Sequence, residues 1–169
     1  KQGHVSKVYL YSSSPISGQL LLNKQRFTVY PVDRFDKSPT KYVAYIAIHR
    51  WMKPGAYQLV ADIRDQKGEN LPLSISIRVR DAQFKKEHIT LAPKKNKLVK
   101  GKKKLRNENQ QIAKAYRRSE SYSYIHQPFM MPVTKGRITS PFGNMRVYNG
   151  VPSWSHSGLD LGKREGAPI

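Results

Sequence analysis

The sequence predicts a mainly β protein, and three observations predict it. Short runs rich in Val, Ile, Leu and Tyr recur through the first 81 residues. Turn-forming residues separate these runs. Residues 121–169 are punctuated in the same way, by six Gly and five Pro. Only one segment, between these two regions, carries a helical pattern.

Within residues 1–81 the runs are "VSKVYLY", "GQLLLN", "RFTVYPV", "YVAYIAIH", "AYQLVADI" and "LPLSISIRVR". In "SISIRVR", Ile75, Ile77 and Val79 fall on one face of an extended chain and Ser76, Arg78 and Arg80 on the other. Side chains alternate with period two along a strand, so this is the pattern of a half-buried strand. "SSSPISG", "RFDKSPTK", "MKPG" and "DQKGEN" supply the turns. Six or seven such strands in about 80 residues predict a small antiparallel β-sandwich of immunoglobulin-like type.

Residues 82–120 read as a linker. "FKKEHITL" has the composition of one more strand, and positions 94–106 hold eight basic residues, as a linker or exposed hairpin would. Residues 105–120, "LRNENQQIAKAYRRSE", predict a helix. Leu105, Ile112, Ala115 and Tyr116 make a narrow apolar stripe on it. So thin a stripe predicts weak packing, as in a helix bridging two domains. Residues 121–169 then form a second β-rich part.

The formal net charge is +20, and residues 82–120 hold half of it, with 13 basic and 3 acidic residues. A field of this size favours an anionic partner. For the basic segment 94–106 the readings are a solvated linker, or adhesion to an anionic wall polymer or lipid surface. A specific nucleic-acid site is not expected, because the tract lacks an arrangement of aromatic and base-reading side chains. No cysteine is present, so any metal site must use His and carboxylate ligands. No apolar run approaches the roughly 20 residues of a membrane helix. The first residue is Lys, which implies that a signal peptide or membrane anchor precedes it.

The stretch "SWSHSGLDLG" places His156 and Asp160 four positions apart with Gly158 midway. Read as a strand, it puts His156, Gly158 and Asp160 on one face and Ser157, Leu159 and Leu161 on the other. An imidazole and a carboxylate with no side chain between them suit a small cation such as zinc, which takes His and Asp ligands. The bland reading is a turn-capping Asp160 and a hydrogen-bonded His156. Two ligands are also one short of a catalytic zinc site, which takes three protein groups.

The surrounding sequence separates these readings. "GRITSPFGNMRVYNGVPSWSHSGLDLGKREGAPI" resembles the opening half of the lysostaphin-type zinc endopeptidases, which cut peptide cross-links of bacterial peptidoglycan. The resemblance runs in order through Gly136, Ile138-Thr139-Ser140, Phe142-Gly143, Arg146, Asn149-Gly150, His156-Ser157-Gly158-Leu159-Asp160 and Gly166-Ala167-Pro168-Ile169. It implies that residues 121–169 begin a β-rich zinc-peptidase domain in which His156 and Asp160 are the first two Zn2+ ligands. It implies a third ligand and two proton-handling histidines from a region with no counterpart up to Ile169. No catalytic residue is therefore expected within this chain, which is expected to be inactive as it stands. His4, His49, His88 and His126 are not expected to take those roles.

Some members of that family carry an N-terminal β-sandwich followed by a strand and a short helix, an arrangement that residues 1–120 resemble. The family implies an extracytoplasmic location, in the periplasm or cell envelope, with peptidoglycan peptides as substrate. Degenerate members act instead as non-catalytic scaffolds or regulators of wall hydrolases, and that is the alternative function. Arg146 is expected to contact substrate or to brace the site through a carboxylate. Phe142-Gly143 predicts a tight turn with Phe142 packed inside, and Asn149-Gly150 a turn. Trp154, Tyr122, Tyr124 and Tyr148 are expected at a core or groove rim. "GAPI" reads as the middle of a strand.

Overall fold

A computed structural model describes residues 1–33, 35–92, 102–116, 123–125 and 127–168. Positions 94–101 of the basic segment, residues 117–120 of the expected helix, Tyr122, His126 and the side chain of Trp154 lie outside what is described. The chain is mainly β. It divides into two compact units, Lys1–Gln83 with Ser121–Met130, and Phe84–Glu120 with Met131–Ile169.

In the first unit the expected runs become β1 (Val5–Tyr11), β2 (Ile16–Leu22), β3 (Gln25–Thr28), β4 (Tyr30–Pro31), β5 (Lys41–Ala47), β6 (Gly55–Asp65) and β7 (Ser74–Val79). They form two antiparallel sheets, in the orders β1-β5-β4 and β3-β2-β6-β7. Alternation supplies the core. Along β6, Leu59, Ala61 and Ile63 are buried while Val60, Asp62 and Arg64 face out. These three join Leu20 and Leu22 of β2 and Tyr42, Ala44 and Ile46 of β5 in one apolar cluster. Tyr42 is buried whole because its hydroxyl is satisfied: it donates to Pro39 O and accepts from Ile16 N, each at 2.9 Å.

Strand β7 departs from the expected uniform face. Val79 is buried, Ile77 half-buried and Ile75 52% exposed. Near one end of the edge strands β1 and β7, Gln2 N donates to Arg80 O at 3.1 Å. Toward the other end a cavity of about 400 Å³, lined by Leu10, Ile16, Leu71, Leu73 and Ile75 among others, opens beside the core.

In the second unit "FKKEHITL" provides β8 (Lys86–Ile89), and the only helix among the described residues is α1 (Lys102–Tyr116). Then follow β9 (Arg137–Ser140), β10 (Met145–Tyr148), β11 (Val151–Ser155) and β12 (Asp160–Gly162). β10 is central, antiparallel to β11 and parallel to β8, and β12 pairs antiparallel with β9. The helix begins three residues earlier than expected, inside the basic segment, because lysine is a good helix former. The described part of its stripe is exposed, Ile112 at 51% and Tyr116 at 84%. Among the described residues no helix is long and apolar enough to cross a membrane.

Three local expectations are corrected. Residues 156–159 are not a strand but the connection between β11 and β12, and Leu159 is exposed rather than packed. Phe142 is 39% exposed and meets Phe84 edge-on, with ring centroids 6.3 Å apart, instead of filling a core. Of "GAPI", Gly166 lies in a turn and residues 167–168 in no strand, and Ile169 is outside the described residues. Asn149-Gly150 does turn the chain. With φ of 48° and 82° they close the Tyr148–Val151 pair as a two-residue hairpin of the mirror-image type that suits strand twist.

The two faces of β6 and β2 should respond differently to truncation. Leu22→Ala, at a fully buried position, is expected to cost roughly 2–5 kcal/mol in urea unfolding. Val60→Ala, on the outward face, is expected to change stability by no more than about 0.5 kcal/mol.

Candidate functional site

His156 follows directly from β11, and its backbone is fixed before its side chain is considered. His156 N donates to Asn144 O, and His156 O accepts from Gly143 N, both at 2.8 Å. These bonds tie it to the tight turn at Phe142-Gly143. That turn requires glycine twice over: Gly143 has φ of 89°, and a side chain there would run into the Phe84 ring.

The His156 side chain is 8% exposed. Its Nδ1 lies 3.1 Å from Pro141 O and 3.2 Å from Ser140 Oγ. A carbonyl only accepts, so Nδ1 carries the proton in that contact. The other nitrogen, Nε2, stands 3.0 Å from Asp160 Oδ1. The expected pair therefore meets, although not as strand neighbours. The chain bends at 156–159 and brings Asp160, at the start of β12, back beside the ring.

Asp160 is held from its far side. Its Oδ2 accepts from Arg146 Nη2 at 2.7 Å. Arg146 projects from β10, its side chain 16% exposed, and its Nε is 3.6 Å from Glu87 Oε2. Of the two roles expected for Arg146, bracing a carboxylate matches the contacts it makes here. Burial works against its charge, but hydrogen bonds to Asp160 and Tyr148 outweigh this and raise its pKa.

Glu87, on β8, closes the network. Both its oxygens lie 2.9 Å from Ser140 Oγ, and Oε1 accepts from Asn144 Nδ2 at 2.8 Å. The Asn144 bond is the main cause that lowers its pKa. Burial opposes this, and the Ser140 bond and the charges of Arg146 and His156 add to it. Asn144 also accepts from Lys85 N through Oδ1 at 3.2 Å, so it joins β8 to the turn.

Nδ1–H leaves Nε2 with a lone pair facing a carboxylate oxygen. Two lone pairs at 3.0 Å repel. The contact is favourable in two cases: a second proton on the ring makes an ion pair, or a cation sits between. Two groups each about 2.0–2.2 Å from a zinc ion can stand at this separation. Gly158 lies beside this nitrogen, where a Cβ would stand 3.8 Å from Nε2, so no side chain touches it from that residue. The donor set thus fits a metal in chemistry and spacing, as a two-ligand site. Among the described residues no group of three or more His, Asp or Glu forms a metal cluster.

No protein-family model matches the chain, and no curated protein matches it.

Glu87, Ser140, Asn144 and the Pro141 carbonyl were not visible as site groups in the sequence. Ser140 ends the Ile138-Thr139-Ser140 stretch of the motif, which implies no site role for it, and Asn144 follows the Phe-Gly turn. Glu87 lies 53 residues before Ser140. The one available sign was its alternation in β8, where Glu87 shares a half-buried face with Ile89. A lone carboxylate on such a face needs partners from elsewhere.

A pH prediction follows from the lowered Glu87 pKa. The stabilisation it brings is fully present above its ordinary 4.5 and is lost as pH falls through the depressed value. A 13C titration of the Glu87 carboxyl is expected to give a midpoint below 4.5. Asn144→Ala, which removes the largest contributor, is expected to move that midpoint upward.

Proposed function

We propose that this chain carries the first two zinc ligands of a lysostaphin-type endopeptidase acting on the peptide cross-links of peptidoglycan. One observation carries the reading. His156 is fixed through Nδ1 to a backbone carbonyl, its Nε2 faces Asp160 Oδ1 at 3.0 Å, and Gly158 puts no side chain against that nitrogen. Metal-binding histidines commonly donate their second nitrogen to a carbonyl or carboxylate in this way, which fixes the tautomer and raises basicity. The order of motifs from Gly136 to Asp160 supports the same reading.

In this proposal His156 and Asp160 bind the ion, Arg146 orients Asp160, and Ser140 and Pro141 orient His156. A zinc ion held there supplies Lewis-acid activation of water and of the scissile carbonyl. A catalytic zinc takes three protein ligands, and among the described residues no third joins this pair. The first unit is an immunoglobulin-like sandwich in the same reading. Two antiparallel sheets over one core support this, as does Tyr42, whose hydroxyl returns to the backbone three residues upstream. The charge of +20 supports an envelope location facing anionic wall polymer or lipid.

A second reading has its own observation. His156 and Asp160 can satisfy each other as an ion pair without metal, as a non-catalytic scaffold or regulator of wall hydrolases would allow. Zinc titration of this chain against a chromophoric chelator separates the two. Measurable binding that His156→Ala and Asp160→Ala each reduce at least tenfold is the expected result. Binding left unchanged by both substitutions, or absent from the native chain, sinks the metal reading in favour of the ion pair.

Gly158→Ala provides a further check. The fold should persist, since Gly158 does not need a positive φ. Zinc affinity should fall, because the new methyl stands 3.8 Å from Nε2. Unchanged affinity would mean that zinc does not approach from the Gly158 side.

A further inference from the structure

Glu87 has no place in the motif that names the ligands, yet each of its partners supports the His156–Asp160 pair from a different direction. Ser140 Oγ is 3.2 Å from His156 Nδ1. Asn144 accepts the His156 backbone N–H at 2.8 Å. Arg146 donates to Asp160 Oδ2 at 2.7 Å. We infer that Glu87 is a positioning residue for this pair, fixing the His156 tautomer through Ser140 and the Asp160 carboxylate through Arg146.

Ser140 Oγ has a single hydrogen, and an ionised carboxylate only accepts. At 2.9 Å from both Glu87 oxygens, the hydroxyl therefore donates to Glu87. Its oxygen is then left to accept, from Arg146 Nη2 at 3.4 Å and from His156 Nδ1–H. Together with Pro141 O, this gives His156 two acceptors at Nδ1 and none that would favour a bare Nδ1. The lone pair is accordingly directed to Nε2, the nitrogen that faces Asp160. The same carboxylate draws on Arg146 through Nε, so the guanidinium is shared between Glu87 and Asp160 rather than closing on Asp160 alone.

Glu87→Gln keeps the size and reverses this logic. Asn144 Nδ2 donates at Oε1 and Arg146 Nε faces Oε2. Whichever way the amide is turned, its NH2 group opposes one of these donors. If it turns toward Ser140, the hydroxyl must accept from it and is free to donate to His156 Nδ1. Pro141 O alone then holds the proton on Nδ1, while Asp160 Oδ1 draws it to Nε2, so the Nε2–H form, in which the nitrogen facing Asp160 has no lone pair for a cation, gains population.

The test reads the ring directly. Long-range 15N–1H correlation spectra of metal-free protein, at a pH where imidazole is neutral, identify the tautomer of His156. The native chain is expected to show the Nδ1–H form and Glu87→Gln a shift toward Nε2–H. Zinc affinity, which rests on the functional reading above, is expected to fall about 10- to 100-fold in the same variant. A native spectrum dominated by Nε2–H overturns the inference, as does a Glu87→Gln protein that matches the native one in tautomer. If native protein binds no zinc while the tautomer still shifts, the positioning role stands and the metal reading falls. Should Glu87→Gln lose the folded circular dichroism spectrum, Glu87→Asp is read in its place. An acceptor-only group is retained there, so the Nδ1–H form is expected to persist, and its loss overturns the inference.

Discussion

The guanidinium of Arg146, set between Asp160 and Glu87, is the interaction on which the second unit depends. Its contacts at 2.7 and 3.6 Å join β12 to β8 across β10, the strand that carries it. A half-buried carboxylate or guanidinium without a partner is costly. Arg146 and Glu87, the two more buried of these charges, therefore offset each other, and Asp160, more exposed to solvent, adds a second partner for the arginine. Ser140 and Asn144 then satisfy the oxygens that the arginine does not.

The two units solve the problem of burial in opposite ways. The first has an apolar cluster of 12 buried residues drawn from both sheets. In the second, the one buried hydrophobic residue among those described is Val147, while Ser140, Asn144 and His156 are buried polar groups. Hydrogen bonds are directional where apolar contact is not. A polar interior therefore fixes side-chain orientation more tightly than it stabilises the fold. That trade suits the proposed site, in which the tautomer of one imidazole decides which nitrogen faces Asp160.

Segment β8 links these themes. In sequence it looks like a connector between two β regions. In the folded unit it lies parallel to β10, with Glu87 opposite Arg146 and His88 opposite Val147. Parallel pairing needs a long crossover, and residues between β8 and β9, including α1, provide the length. The helix, whose described side chains are exposed, owes its place to that connection rather than to its apolar stripe.

Local chemistry wrote much of this protein into its sequence. Short apolar runs between turn residues marked the strands of the first unit and β8, Asn149-Gly150 set a hairpin, and the absence of cysteine restricted any metal site to His and carboxylate. The spacing of His156 and Asp160 marked them as a pair, but for a reason that did not hold, since residues 156–159 are a bend and not a strand. Only the tertiary structure decided that Gly143 docks the His156 backbone, that Arg146 spans two carboxylates, and that Glu87 belongs to the site. The reason is physical: a hydrogen bond between side chains more than 50 residues apart leaves no periodicity in the chain. It exists only once β8 has been laid against β10.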